Sequence, residues 1–169
     1  MRHLRAVFAN DRFAALAGVK LLRVSEGRAR ARMRIEAKNL NGLDTVQGGA
    51  IFTLADLTFA AAANSHGNAA VAINVSISYF EAAREWDVLT ADAEEVALNP
   101  KLSSCTVRVT NREGRLVALF TGMAYRKKQL LSEFVGPANS TAGEGAPGGA
   151  RRKMGARKAS RSAKGKASR

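Results

Sequence analysis

Residues Asn41–Gly67 read NGLDTVQGGAIFTLADLTFAAAANSHG, and the centre of this stretch decides the fold. From Gly48 to His66 it is long enough for about five turns of α-helix at 3.6 residues per turn. Its apolar residues keep to no single stripe: Ile51, Phe52, Leu54, Leu57, Phe59 and the run Ala60 to Ala63 surround the helix axis. A helix that is apolar all round is buried on most sides. Gly67 supplies its C-terminal stop. Into this run the sequence places one carboxylate, Asp56. A buried carboxylate is costly unless it is paired, protonated or put to use.

Outward from this helix the pattern changes to strands. Upstream, RARARMRIE alternates Ala29, Ala31, Met33 and Ile35 against Arg28, Arg30, Arg32, Arg34 and Glu36, which is the period of a half-buried strand. VKLLRVSEG before it is the expected hairpin partner, turning near Glu26 and Gly27, and residues 2–17 read as one short helix. Downstream, VAINVSISYF is expected to place Val71, Ile73, Val75, Ile77 and Tyr79 on one face. DVLTADAEEVAL, SSCTVRVTN and RLVALFTGMAYRK follow, punctuated by Asn99-Pro100 and Asn111 to Gly114. These last four strands are expected to form a meander. An antiparallel sheet curled around the central helix is the economical way to bury it, giving an α+β fold.

The chain has 169 residues, enough for one domain around one core, and a formal charge of +13. That charge is unevenly placed. Residues 136–169 hold nine Lys or Arg against the single Glu144, leaving +5 on residues 1–135. The tail has almost no bulky apolar residues to offset its chain entropy, so residues 136–169 are expected to be disordered. It serves either non-specific contact with nucleic acid or simple solubilisation. The single cysteine, Cys105, excludes a disulfide framework within the chain and points to a reducing, cytoplasmic setting. Asn10, Asp11 and Arg12 interrupt the N-terminal apolar run that a signal peptide or membrane span needs.

Asn41-Gly42, Gly48-Gly49, the run IFTLAD (Ile51 to Asp56) and NSHG (Asn64 to Gly67) resemble the phenylacetate-pathway, PaaI-type branch of the hotdog acyl-CoA thioesterases. The resemblance covers essentially residues 5–127. It implies the hotdog fold, an antiparallel sheet wrapped around a long central helix. It also implies hydrolysis of aryl-acetyl or other small to medium acyl-CoA thioesters, with coenzyme A as part of the substrate and no separate cofactor. Within one chain Asp56 lies eight residues beyond Gly48, about 12 Å along the axis at 1.5 Å per residue, so the two cannot act on one atom. Two copies packed with their helices antiparallel bring one helix start to the middle of the other, as hotdog thioesterases do. A homodimer, or a dimer of such dimers, is therefore implied.

By the same resemblance the Gly48 N–H polarises the thioester carbonyl at the positive end of the helix, and one such donor is worth about 3 kcal/mol. Asp56 acts either as general base on water or as nucleophile. Relatives commonly carry His before the two glycines; this chain has Gln47, which donates a hydrogen bond but exchanges no proton. Asn41 supports that loop or the substrate carbonyl, and reads equally as the turn residue of an Asn-Gly pair. Asp44 stands where many relatives have Gly. Gly49, Asn74, Arg84 and Lys101 match substrate- or coenzyme-contacting regions, Asn74 reading equally as a solvated strand residue.

Other chemistries lack their residues. There is no G-x-S-x-G elbow, P-loop or dinucleotide fingerprint, and His3 and His66 are too few and too poorly spaced for zinc. His66 reads as capping the helix end, Cys105 as core, and the Arg28 to Arg34 ladder as protection of an edge strand or an anion site. A rival reading is a non-catalytic acyl-CoA-binding hotdog protein whose tail contacts nucleic acid. A hotdog dehydratase needs a catalytic His with no suitable candidate here.

Overall fold

The computed structural model describes residues 2–134. The basic segment 136–169, expected to be a disordered tail, lies outside the described residues. In chain order the elements are α1 (Arg2–Ala9), α2 (Arg12–Ala17), β1 (Val19–Ser25), β2 (Arg28–Arg34), α3 (Gly48–Ala63), β3 (Asn68–Tyr79), β4 (Val88–Leu98), β5 (Leu102–Thr110) and β6 (Leu116–Leu130). Six antiparallel strands form one sheet in the order β1-β2-β4-β5-β6-β3, with α3 against one face. No helix among the described residues is long and apolar enough to cross a membrane.

The core lies between α3 and the inner face of the sheet. From α3 it takes Ile51, Leu54, Leu57 and Phe59; from the sheet, Met33, Leu89, Val107, Val109, Val117 and Phe120. Full burial of each large side chain contributes about 1.5–3 kcal/mol. The strands supply alternate residues because side-chain direction reverses at each position: on β2 Ala29, Ala31 and Met33 point in while Arg28, Arg30, Arg32 and Arg34 are exposed. The Thr58 hydroxyl donates to the Leu54 carbonyl at 2.6 Å, which satisfies the polar side chain α3 buries completely. Cys105 is buried as expected, and burial pushes its thiol up to about 11, with the hydrogen bond between it and Ser103 acting against the shift and Glu95 with it.

Several expectations are corrected. The last four strands are not a meander: β4, β5 and β6 pair in sequence, but β3 crosses to the far side of β6. The face assignment of β3 fails at a bulge between Ala72 and Asn74. An extra residue there reverses the alternation, so Val71 lies opposite Tyr125 on the outer face while Val75, Ile77 and Tyr79 face inward opposite Gly122, Phe120 and Ala118. The N-terminal helix is two helices, because Asp11 turns to cap α2, its carboxylate accepting from the Ala14 N–H at 2.9 Å. β2 is an interior strand between β1 and β4, so its arginines guard no edge. α3 ends at Ala63, with Gly67 at φ 90° reversing the chain three residues after the Asn64 cap. His66 caps nothing; its Nε2 meets the Glu95 carboxylate at 2.7 Å and its Nδ1 approaches Glu26 at 3.4 Å.

Candidate active site

The mouth of α3 is built by a short loop. Leu40 and Val46 bridge as an antiparallel pair, and between them Asn41 organises the turn. Its Oδ1 accepts from the Leu43 N–H at 2.8 Å and the Thr45 N–H at 3.3 Å, and its Nδ2 donates to the Thr45 hydroxyl at 3.0 Å. The polar atoms of Asn41 are thus spent inside the loop. Asp44 adopts φ 55°, a left-handed conformation that Gly favours and Asp tolerates. The Val46 N–H donates to the Ala83 carbonyl at 2.9 Å and the Gln47 N–H to the Asn39 carbonyl at 2.8 Å, which fixes where the helix starts.

At that start Gln47 is the N-cap, its amide oxygen accepting from the Gly49 N–H. A Cβ on Gly49 would meet that oxygen at 2.7 Å, a contact the flexible Gln47 side chain can relieve by shifting. Gln47 therefore does a structural job with its oxygen, and its NH₂ has no partner among the described residues. Gly48 differs. Its carbonyl accepts from the Tyr79 hydroxyl at 2.9 Å, while its N–H meets no acceptor among the described residues. An unpaired amide at the positive end of a helix of 16 residues is chemically able to donate to an oxyanion.

Asp56 lies further along α3 on its least covered stripe, with Gly49, Thr53 and Ala60. The Thr53 hydroxyl donates to the Gly49 carbonyl at 2.8 Å, so Thr53 does not satisfy Asp56. The Asp56 carboxylate has no hydrogen bond or ion pair among the described residues. Burial pushes its pKa above the ordinary carboxylate value, and the Asp11 carboxylate adds to the rise. A half-buried, unpaired carboxylate whose basicity is raised by burial matches what a general base needs.

A cavity of about 670 Å³ opens beside Gln47, Gly49 and Thr53, with apolar walls from Phe13 and Leu16 of α2, Leu40 of the loop and Phe52 of α3. Sequence reasoning missed this wall, Tyr79 and Asp11. DRFAALAG, with Asp ahead of a short apolar run and Gly after it, carried the signal for α2. Nothing local marked that α2 folds over α3. Arg84 sits in the Ala83–Asp87 turn next to Val46. Lys101 lies beyond the opposite end of β4, whose 11 residues span about 35 Å, so the chain holds Arg84 and Lys101 at opposite ends of that strand. Asn74 is exposed on the outer face of β3, about 17 Å of strand from Tyr79. One chain thus unites Gln47, Gly48 and Gly49 and leaves Asn74 and Lys101 apart from them.

The thioesterase superfamily model matches residues 43–118. An Archaeoglobus fulgidus protein named as an esterase is 42% identical over 120 residues, 71% of this chain and 78% of its own length. Acyl-coenzyme A thioesterase PaaI of Escherichia coli is 34% identical over 125 residues, 74% and 89% of the two chains. The structure of E. coli PaaI, from the phenylacetic acid degradation operon, superposes with a TM-score of 0.74 at 32% identity, covering 76% of this chain and 94% of that one. A hypothetical thioesterase of Streptococcus pneumoniae solved with coenzyme A superposes with a TM-score of 0.67 at 27% identity, covering 73% and 97%. By these matches in sequence and fold, this chain belongs to the thioesterase superfamily as a hotdog-fold, PaaI-type member.

Proposed function

We propose that the protein hydrolyses acyl-CoA thioesters at a site shared between two copies, with Asp56 of one copy attacking or activating water against a carbonyl held by Gly48 of the other. The observation that carries this reading is two groups on one helix that meet no partner among the described residues: the Gly48 N–H and the Asp56 carboxylate. They are about 12 Å apart along the axis and so complete each other only across an antiparallel pair of helices. β3 supports such a pairing, since it is an unpaired edge of 12 residues with Val71, Ile73 and Tyr79 exposed. The tetrahedral intermediate's oxyanion accepts a hydrogen bond from the Gly48 N–H, the water proton passes to Asp56 and on to the departing sulfur, and coenzyme A leaves as the thiol. The cavity walled by Phe13, Leu16, Leu40 and Phe52 suits an aryl-acetyl or medium aliphatic acyl group. The PaaI relative and the coenzyme A-bound neighbour support the same substrate class.

Release of free thiol from a panel of acyl-CoAs tests the activity, and Asp56→Asn is expected to lower turnover about 10²- to 10⁴-fold. Gly48→Pro removes the N–H at a helix position that accepts proline, and Gln47, at φ −63° and ψ 129°, already has the extended geometry a pre-proline residue adopts. The exposed Tyr79 ring, 3.2 Å from a Cβ there, must shift. Each variant alone is expected to be inactive. Reassembled in equal amounts they should recover about a quarter of wild-type activity, since half the dimers then hold one intact site. No recovery, with both variants folded, excludes a shared site. The rival reading, an acyl-CoA binder without turnover, is favoured by Gln47, whose oxygen is tied to the Gly49 N–H. Coenzyme binding without thiol release from any member of the panel would establish it.

A further inference from the structure

The outer face of the sheet, turned away from α3, carries a charge pattern that thioester chemistry does not use. Cross-strand register sets its side chains in rows. One row runs Arg23, Arg30, Asp92, Arg108 across β1, β2, β4 and β5; the next runs Ser25, Arg28, Glu94, Thr106; a third runs Lys20, Arg32, Thr90, Thr110. Arg34 continues the β2 series, lying over the Trp86 ring at 5.3 Å. Arg30 meets Asp92 at 2.5 Å and Arg28 meets Glu94. Both pairs are exposed, so they contribute little to stability. Arg23, Arg32 and Arg108 have no carboxylate or hydrogen-bond partner among the described residues. Two carboxylates thus face six cations in these rows, and Arg34 beyond them is a seventh. Arg23 and Arg30 are direct cross-strand partners of like charge, which costs stability. A groove of about 300 Å³ runs between Arg23, Arg28, Arg30 and Arg108, with Ser25 and Thr106 in its wall.

We propose that this face docks the phosphate backbone of nucleic acid. Its side chains are the set that holds phosphates, guanidinium and ammonium groups interleaved with Ser and Thr hydroxyls. On β2 the arginines recur every second residue, about 6.8 Å apart, presenting a regular line of charge to a regular polyanion. An acidic protein is the weaker match, because a protein interface depends on buried aromatic or aliphatic anchors. These three rows carry none. A second copy of the chain does not fit either, since a two-fold contact would set this cationic face against itself. The nine basic residues within 136–169 add charge of the same sign to the same chain.

The test is the affinity of the full chain for a 20-base-pair duplex, read by fluorescence anisotropy over a range of salt concentrations. Arg23→Gln/Arg32→Gln/Arg108→Gln is expected to weaken binding at least tenfold and to reduce the slope of log affinity against log salt by about three, one per lost phosphate contact. Arg108→Gln alone, expected to lower the slope by about one, serves if the triple variant does not fold. A control, Arg112→Gln/Lys127→Gln/Lys128→Gln, removes equal charge elsewhere and leaves the contribution of residues 136–169 the same. Its slope is expected to stay near wild type. No measurable binding by wild type, unchanged slopes in the face variants, or equal losses in both triples overturns the proposal. Loss of poly-glutamate binding with duplex binding intact would assign the face to an acidic protein instead.

Discussion

Ionising Asp56 in its half-buried place works against the fold. Its folded-state pKa lies above the unfolded value, so the folded chain binds the proton more tightly. Stability contributed by the protonated form is present below the ordinary value of 3.8 and is lost as pH rises through the raised value. Asp56→Asn is therefore expected to unfold at higher denaturant than wild type at pH 7, with the two curves converging below about pH 4. A variant no more stable at pH 7 would place Asp56 in a more solvated setting. Asp11 acts on the same group from α2. Asp11→Asn keeps an oxygen to cap Ala14 but removes the like charge, so the acid limb of the kcat/KM profile is expected to move to lower pH. An unmoved limb would separate the two carboxylates.

Among the elements, α3 and the two edge strands show how packing selects residues. α3 comes close to β6 at Gly122, where a Cβ would lie 2.8 Å from the Phe59 ring and 2.9 Å from Phe120. These rings already pack against each other with centroids 5.6 Å apart, so neither has space to yield. Gly122→Ala is expected to cost about 1–3 kcal/mol in a denaturant titration, and a neutral result would mean the rings repack freely. The edges contrast. β1 has a bulge between Leu21 and Arg23 and carries Lys20 and Arg23, devices that discourage pairing. β3 is longer and leaves Val71 and Ile73 exposed, as a strand awaiting a neighbour does.

For the whole molecule, the proposed division of the site between copies would make activity depend on assembly. Ile73→Lys puts a charge on the β3 edge without touching the α3 mouth. It is expected to give a lighter species in sedimentation and to lower thioesterase activity in proportion. Full activity from a sedimenting monomer would show that one chain holds a complete site. The two broad faces differ in kind: the open stripe of α3 is apolar around one carboxylate, while the outer face of β1, β2, β4 and β5 is cationic.

By itself the sequence determined the strands, the central helix and the side chains that helix carries. Apolar residues all around Gly48 to Ala63 require an enclosing partner, the alternation of RARARMRIE requires a strand, and Gln47, Gly48, Gly49 and Asp56 fall in place because one helix spaces them. Only the tertiary structure decided what depends on distant residues meeting. It carried β3 past β6 and turned Val71 outward at a bulge, because strand pairing is settled by packing between segments and a single extra residue reverses every side chain beyond it. It also brought Asp11, Phe13 and Leu16 over α3 and Tyr79 to Gly48, contacts with no periodic signal in the chain, since each joins elements whose spacing in sequence says nothing of their distance in space.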